Sequence, residues 1–313
     1  MSSYEEINYR LRPAKSIERK MLSDAFRRLS PFGKVDSYRY VGFGSIYFTD
    51  FSLFYKNLGI EDMISIEKNK DDDERVEFNK PYKFIDVLFG DSNDELSNIP
   101  WSSNSRSIIW LDYDGKLTSS VLKDISYVCS QAAAGSIILV SVNAKFSFNA
   151  PGPIEELKEN VGLDHVDPTL INTDFAGWGG AEVYRGIINS VINETLKDRN
   201  GGLTANCQLD FQQLFNFRYE DGARMLTTGG IICDNGQKSI LNSCGFDQLD
   251  FFRSEADAFL IHVPCLTFKE INFLDKNLPI EEAALDSIPI PNKDITYYEK
   301  VRRYFPNFIE GEL

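Results

Sequence analysis

The chain has 313 residues, 42% of them hydrophobic and 13% aromatic, with a formal net charge of −14. That content supports a large packed core and excludes a disordered, charge-dominated chain. The acidic excess excludes a general polyanion binder, and no run reaches the roughly 18 to 20 apolar residues a membrane helix needs.

The charge is unevenly spread. Residues 1–40 hold nine Lys/Arg against five Asp/Glu, so a local basic arm precedes an acidic body and leaves a nucleic-acid contact open there. The start, Met1 to Glu6, lacks a basic-then-apolar leader, and a cytoplasmic location is expected. Cys129, Cys207, Cys233, Cys244 and Cys265 are scattered without a CxxC spacing, which reads as reduced thiols. With His165 and His262 as the only imidazoles, no metal site is expected.

In chain order, Ile17, Met21, Leu22, Ala25 and Leu29 fall at three-to-four spacing and predict an amphipathic helix over 14–30, with Pro13 suited to its first turn. Arg12, Lys15 and Arg19 lie on neighbouring turns, as a carboxylate- or phosphate-binding face or as a solvated one. Pro31-Phe32-Gly33 stops the helix, and residues 37–42 form a strand entering a glycine turn. Strands follow at 63–67, 83–89, 107–112 and 136–142, with helices at 49–58, 71–79 and 116–133 between them. That rhythm requires crossovers and a mostly parallel sheet covered on both faces.

Beyond Asn143 the rhythm breaks. Residues 144–178 read as loop and 181–197 as a helix. Strands near 223–233 and 258–263 are candidates for an antiparallel pair at the sheet edge, and the tail from Phe268 is helical in pattern. The segment Phe175 to Gly180 is either a glycine-hinged lid or a loop pinned by Trp178.

The residues that could carry chemistry sit at carboxyl strand ends, where open parallel sheets hold ligands. Gly42 and Gly44 permit close backbone approach, although a turn needing small residues for packing reads the same way. Glu67 ends the next strand, where an acid can accept from ribose hydroxyls. Asp91 and Ser92 follow the third strand, where Asp91 is placed to accept from an adenine amino group. Asp112 and Asp114 follow the fourth, although Asp114-Gly115 is also a common turn.

Tyr40-Val41-Gly42-Phe43-Gly44-Ser45, Ile64-Ser65-Ile66-Glu67, Gly90-Asp91 and Leu111-Asp112-Tyr113-Asp114 fall in the order of the first four motifs of class I methyltransferases. The chain resembles these S-adenosylmethionine-dependent enzymes, and in particular bacterial proteins labelled putative O-methyltransferase. The resemblance implies a Rossmann-like α/β fold with a reversed hairpin at one edge and S-adenosylmethionine as cofactor. It places Gly42, Phe43, Gly44 and Ser45 beneath the cofactor, Glu67 at the ribose, and Asp91 with Ser92 near the adenine. Asp112 and Lys15 are assigned to the cofactor as well. Four segments are expected: an N-terminal helical arm over 1–35, the cofactor-binding core over 36–143, a substrate-side insertion completing the sheet over 144–266, and a helical tail over 267–313.

The glycine motif of the family carries an acid two residues before its first Gly and a third Gly, where this chain has Tyr40 and Ile46. The methionine end of the cofactor is then left to Asp112, Asp50 or a residue of the N-terminal helix. No Asn/Asp-Pro-Pro-Tyr or Pro-Cys follows the fourth strand, which argues against nucleobase methylation. The expected activity is methyl transfer to an oxygen or nitrogen of an unidentified acceptor. It needs alignment more than acid/base machinery, with Asp112 and Asp114 as candidate bases and His165 as a lesser one. The alternative is a catalytically inactive methyltransferase-fold protein that binds a nucleotide-like ligand as sensor or partner subunit. A nicotinamide oxidoreductase ranks last, because Tyr47 breaks the GxGxxG spacing.

Overall fold

The computed structural model describes residues 12–102, 105–280 and 288–306. Tyr9 to Leu11 of the basic arm therefore lie outside the described residues. The parallel strands are β1 (Arg39–Gly42), β2 (Met63–Glu67), β3 (Ile85–Phe89), β4 (Ser107–Asp112) and β5 (Ser136–Asn143). With β6 (Leu209–Glu220), β7 (Arg224–Asp234) and β8 (Phe259–Ile261) they form one eight-stranded sheet in the order β3-β2-β1-β4-β5-β7-β6-β8. This is the mostly parallel α/β sheet that the strand–helix rhythm requires.

The central strands are apolar throughout because helices bury both faces. Along β4, Ile108 and Trp110 join Tyr40 in one buried cluster, while Ile109 and Leu111 join Val41 in the other, as the two-residue period of a strand dictates. The first cluster contains Ile17, Met21 and Phe26 of α1 (Pro13–Phe26) and Phe51 and Phe54 of α2 (Thr49–Leu58). β2 and β3 are linked through α3 (Asp73–Asn79), whose Val76 joins the same cluster, and a single turn, α4 (Ser92–Glu95), follows β3. The second cluster draws on Leu122 and Ile125 of α5 (Ser119–Gln131), Leu157 of α6 (Pro153–Val161), and Tyr184 and Ile188 of α7 (Gly179–Arg199). After β7 come α8 (Lys238–Ser243), α9 (Phe268–Asn277) and α10 (Asn292–Val301).

β1 pairs with β2 on one side and β4 on the other, so the strand order reverses there. A crevice opens at that point beyond the carboxyl ends of the strands. No helix among the described residues is long and apolar enough to cross a membrane.

The edge differs from the sequence pattern in one respect. β7 is the reversed strand, antiparallel to both β5 and β6, but its hairpin partner is β6 and not the strand at 258–263. β8 instead joins β6 in parallel. The sequence hides β6 because its register shifts between Gln213 and Phe215 and residues 213–217 are all buried, which erases the alternation that marks a strand. Residues 144–178, read as loop, contain α6, started by Pro153.

α1 is placed by the β6–β7 hairpin. Its N-cap residue, Arg12, supplies no side-chain cap. Asp221, more than 200 residues away at the hairpin turn, accepts from the amides of Ala14 at 3.3 Å and Lys15 at 3.0 Å. An acid at a helix N-terminus satisfies orphan donors and the helix dipole together. Replacing Asp221 by Ala is expected to lower stability by about 1 kcal/mol, as loss of a helix cap does. Chemical denaturation measures it, and an unchanged midpoint would show that the contact does not hold α1.

Candidate functional site

The crevice is a cleft of about 860 Å³ whose walls come from α1, the turn after β1, and the segments following β2, β3 and β4. The turn is shaped first by the protein's own packing. A Cβ on Gly42 would lie 2.6 Å from the Tyr40 hydroxyl, and one on Gly44 would lie 2.6 Å from the Phe48 ring and 2.8 Å from Ser65 Oγ. Ser45 and Phe48 adopt left-handed backbone conformations, with φ of 53° and 44°, which non-glycine residues hold only when their surroundings impose them.

Those surroundings are Ser65 and Glu67. The Gly44 amide donates to Ser65 Oγ at 2.9 Å, and the Ser45 amide donates to Glu67 Oε1 at 2.7 Å. Ser65 Oγ donates to the same Oε1 at 2.8 Å. The strand-end acid of β2 is thereby fixed against the glycine turn. Burial pushes the Glu67 carboxyl up to about 7, although these three donors pull it the other way and the nearby Asp50 adds a little to the rise.

Tyr40, which stands where the family's glycine motif has an acid, reaches one on the next helix. The Tyr40 hydroxyl donates to Asp50 Oδ2 in the first turn of α2, and both groups are buried. Burial raises the Asp50 carboxyl above the ordinary range, while Arg19 and the Tyr40 hydrogen bond oppose the shift.

On the far side of the cleft, Asp91 caps α4 through the Asn93 amide at 3.3 Å and pairs with Lys68 at 3.0 Å. The Lys68 contact holds its carboxyl below the usual range. Behind it the buried Asp124 of α5 accepts from Ser92 Oγ at 2.5 Å, from Asn93 Nδ2 and from the Tyr113 hydroxyl. Tyr113 packs edge-on against Phe43 with ring centroids 5.1 Å apart, giving this side an aromatic wall.

At the end of β4, Lys15 of α1 lies 2.6 Å from Asp112 Oδ1 and 2.8 Å from Glu18 Oε2, with its ammonium 4.2 Å from the centre of the Trp110 ring. Burial works against the Asp112 charge, but Lys15, Arg19 and Arg12 together hold its carboxyl below the usual range. Asp114 sits nearer the rim, 3.8 Å from Arg12.

Of the residues singled out in the sequence, Phe43, Gly44, Ser45, Glu67, Asp91, Ser92, Asp112 and Asp114 line this one cleft. Gly42 lies beneath the turn and Lys15 lies behind Asp112, both buried outside the lining. His165 and residues 175–180 are not in the lining either. Phe175 is buried against Phe146, and Arg224 donates to the Gly177 carbonyl at 2.9 Å, so that segment is pinned to the body. Asp50, one candidate for the methionine end, and Arg19 of the candidate anion-binding face also line the cleft, as do Tyr47, Thr49 and Tyr113, to which the sequence pattern assigned no role. Ser65, a polar residue inside an otherwise apolar strand, was the visible signal for the Glu67 support.

The model of the family described as putative O-methyltransferase matches residues 7–313. The chain belongs to that family. This is the family that the order of strand-end motifs resembles. Among curated proteins nothing matches. Solved structures with a similar arrangement include a putative O-methyltransferase from Klebsiella pneumoniae, at 11% identity and TM-score 0.37, covering 69% of this chain and 79% of that one. The complex of the Haloferax volcanii Trm112 activator with a putative methyltransferase matches at 14% identity and TM-score 0.31, and Streptomyces venezuelae DesVI at 14% and 0.30. Each of these two covers 42% of this chain, which spans 56% of theirs.

The family member's buried charges make a sharp prediction. Lys15→Ala leaves Glu18 and Asp112 without their shared cation, and breaking such a pair costs about 3–5 kcal/mol. Urea denaturation should show a loss of that order, far beyond that of an exposed pair such as Lys158–Glu155; a loss below about 1 kcal/mol would overturn the reading.

Proposed function

We propose that the protein binds S-adenosylmethionine across the strand ends and transfers its methyl group to an oxygen of an acceptor. The observation that carries this is the fixed Glu67 carboxylate. The Ser45 amide and the Ser65 hydroxyl both donate to Oε1, and Oε2 is the oxygen we assign to the ribose hydroxyls of the cofactor. Phe43 and Tyr113 supply an aromatic wall for the adenine, with Ser92 and Asp91 at its edge. The glycine turn passes beneath.

When bound, the cofactor supplies a methyl carbon already activated by its sulfonium. The chain then has to align an acceptor, exclude competing water and, for a hydroxyl, receive one proton. Asp112 is held ionised by Lys15, so it suits orientation and charge stabilisation better than proton exchange. Asp114, at the rim beside Arg12, is the carboxylate we assign to the acceptor's proton. The family's O-methyltransferase description supports oxygen as the accepting atom.

Calorimetric titration with S-adenosylmethionine and S-adenosylhomocysteine tests the cofactor. Absence of heat with both would sink the proposal. An ionised Glu67 accepts hydroxyl hydrogen bonds better than a protonated one, so affinity should rise as pH climbs through about 7, by roughly the tenfold worth of one charge-assisted bond. Glu67→Gln should bind more weakly and lose that pH dependence; a variant that keeps it would show that another group titrates.

Transfer of labelled methyl to fractions of cell extract tests turnover. Asp114→Asn is expected to bind the cofactor within about twofold of wild type and to transfer at least roughly tenfold more slowly. Binding with no transfer to any fraction would favour a ligand-sensing protein.

A further inference from the structure

Arg19 stands apart from the other cations of α1. Lys15 is shared by Glu18 and Asp112, and Lys20 donates to the carbonyls of Tyr304 and Phe305. Arg19 is 6% exposed and lines the cleft, and among the described residues its guanidinium makes no hydrogen bond or ion pair. Burying a cation is unfavourable unless something pairs with it, and this one faces the cleft.

Two further polar groups of the same lining are also unsatisfied. The hydroxyl oxygens of Ser45, in the glycine turn, and Thr49, the first residue of α2, are buried without a hydrogen-bond partner, and both residues line the same cleft. α2 itself has ten residues and begins without a side-chain cap, so its positive end adds to the same region. The cation and the two hydroxyl donors together suit an anion.

The acids facing Arg19 restrict which anion. Asp50 and Asp112 both feel its charge, and each already has a partner of its own, Tyr40 for the first and Lys15 for the second. A phosphate dianion placed between two acids would be repelled. A zwitterion would not, because its carboxylate can meet Arg19 while its ammonium faces the acids.

We propose that Arg19, with the Ser45 and Thr49 hydroxyls, binds the α-carboxylate at the amino-acid end of the cofactor. This rests on the cofactor reading above and assigns to α1 the recognition that the family's missing acid leaves open. The carboxylate is bound as a charge-assisted pair, with the Asp50 side of the cleft left to the ammonium group.

The test is calorimetry with three ligands on wild type and Arg19→Ala: S-adenosylmethionine, its decarboxylated form, which keeps the ammonium, and 5′-methylthioadenosine, which has neither group. Wild type should prefer the carboxylate-bearing ligand over the decarboxylated one by about 30-fold, the size of one buried charge-assisted bond. In Arg19→Ala that ratio should collapse to roughly threefold or less, while methylthioadenosine affinity stays as in wild type. The wild-type ligand comparison needs no variant, so it stands even if Arg19→Ala folds poorly.

Equal wild-type affinity for the first two ligands would overturn the assignment and leave the cofactor reading intact. So would a variant that weakens all three ligands alike, or inorganic phosphate competing at millimolar concentration as well as the amino-acid end does. If wild type binds none of the three, the cofactor reading fails first and this assignment with it.

Discussion

A buried ionic contact, Lys15 between Glu18 and Asp112, ties helix α1 to the end of β4, and the cleft wall depends on it. Lys15 and Glu18 are 1% and 0% exposed as side chains, so neither can be hydrated, and charges in that setting are tolerated only with close partners. The contact therefore has little freedom to shift. It fixes the register of α1 against the end of β4, and Asp221 fixes the start of the same helix from the β6–β7 turn. With both ends of its first turns anchored, the helix delivers Arg12 to Asp114 and Arg19 to the cleft wall.

The charges along this wall have separate duties because their environments differ. Lys15, Arg19 and Arg12 hold the Asp112 carboxyl below the usual range, burial raises that of Asp50 against the pull of Arg19 and Tyr40, and burial pushes Glu67 up to about 7. Surroundings that push ionisation ranges apart let acids in one cleft behave differently. The glycine turn contributes shape. Gly42 and Gly44 are required first by Tyr40, Phe48 and Ser65, and the resulting turn directs the Ser45 amide toward Glu67. The shape of the turn is thus set by packing within the protein.

Much of this was legible along the chain. The runs at 63–67, 107–112 and 136–142 are strands because an apolar stretch of that length, bounded by helical patterns, can be satisfied only inside a two-faced sheet. Glu67, Asp91 and Asp112 were visible as acids at the ends of such strands, and the cleft gathers all three. β6 was not visible, because a bulge destroys the two-residue period on which strand recognition depends.

The sequence by itself determined the alternation of strands and helices, the crevice at their carboxyl ends and the acids that line it, since each follows from local periodicity and chain direction. Tertiary structure alone decided which charges are paired within the protein and which face the cleft. Lys15 meets Asp112 across 97 residues and Asp221 across 206, and no local pattern encodes such meetings. Arg12, Lys15 and Arg19 look equivalent on a helical wheel; only the packing of α1 on the strand ends occupies the first two with acids and leaves the third facing the cleft.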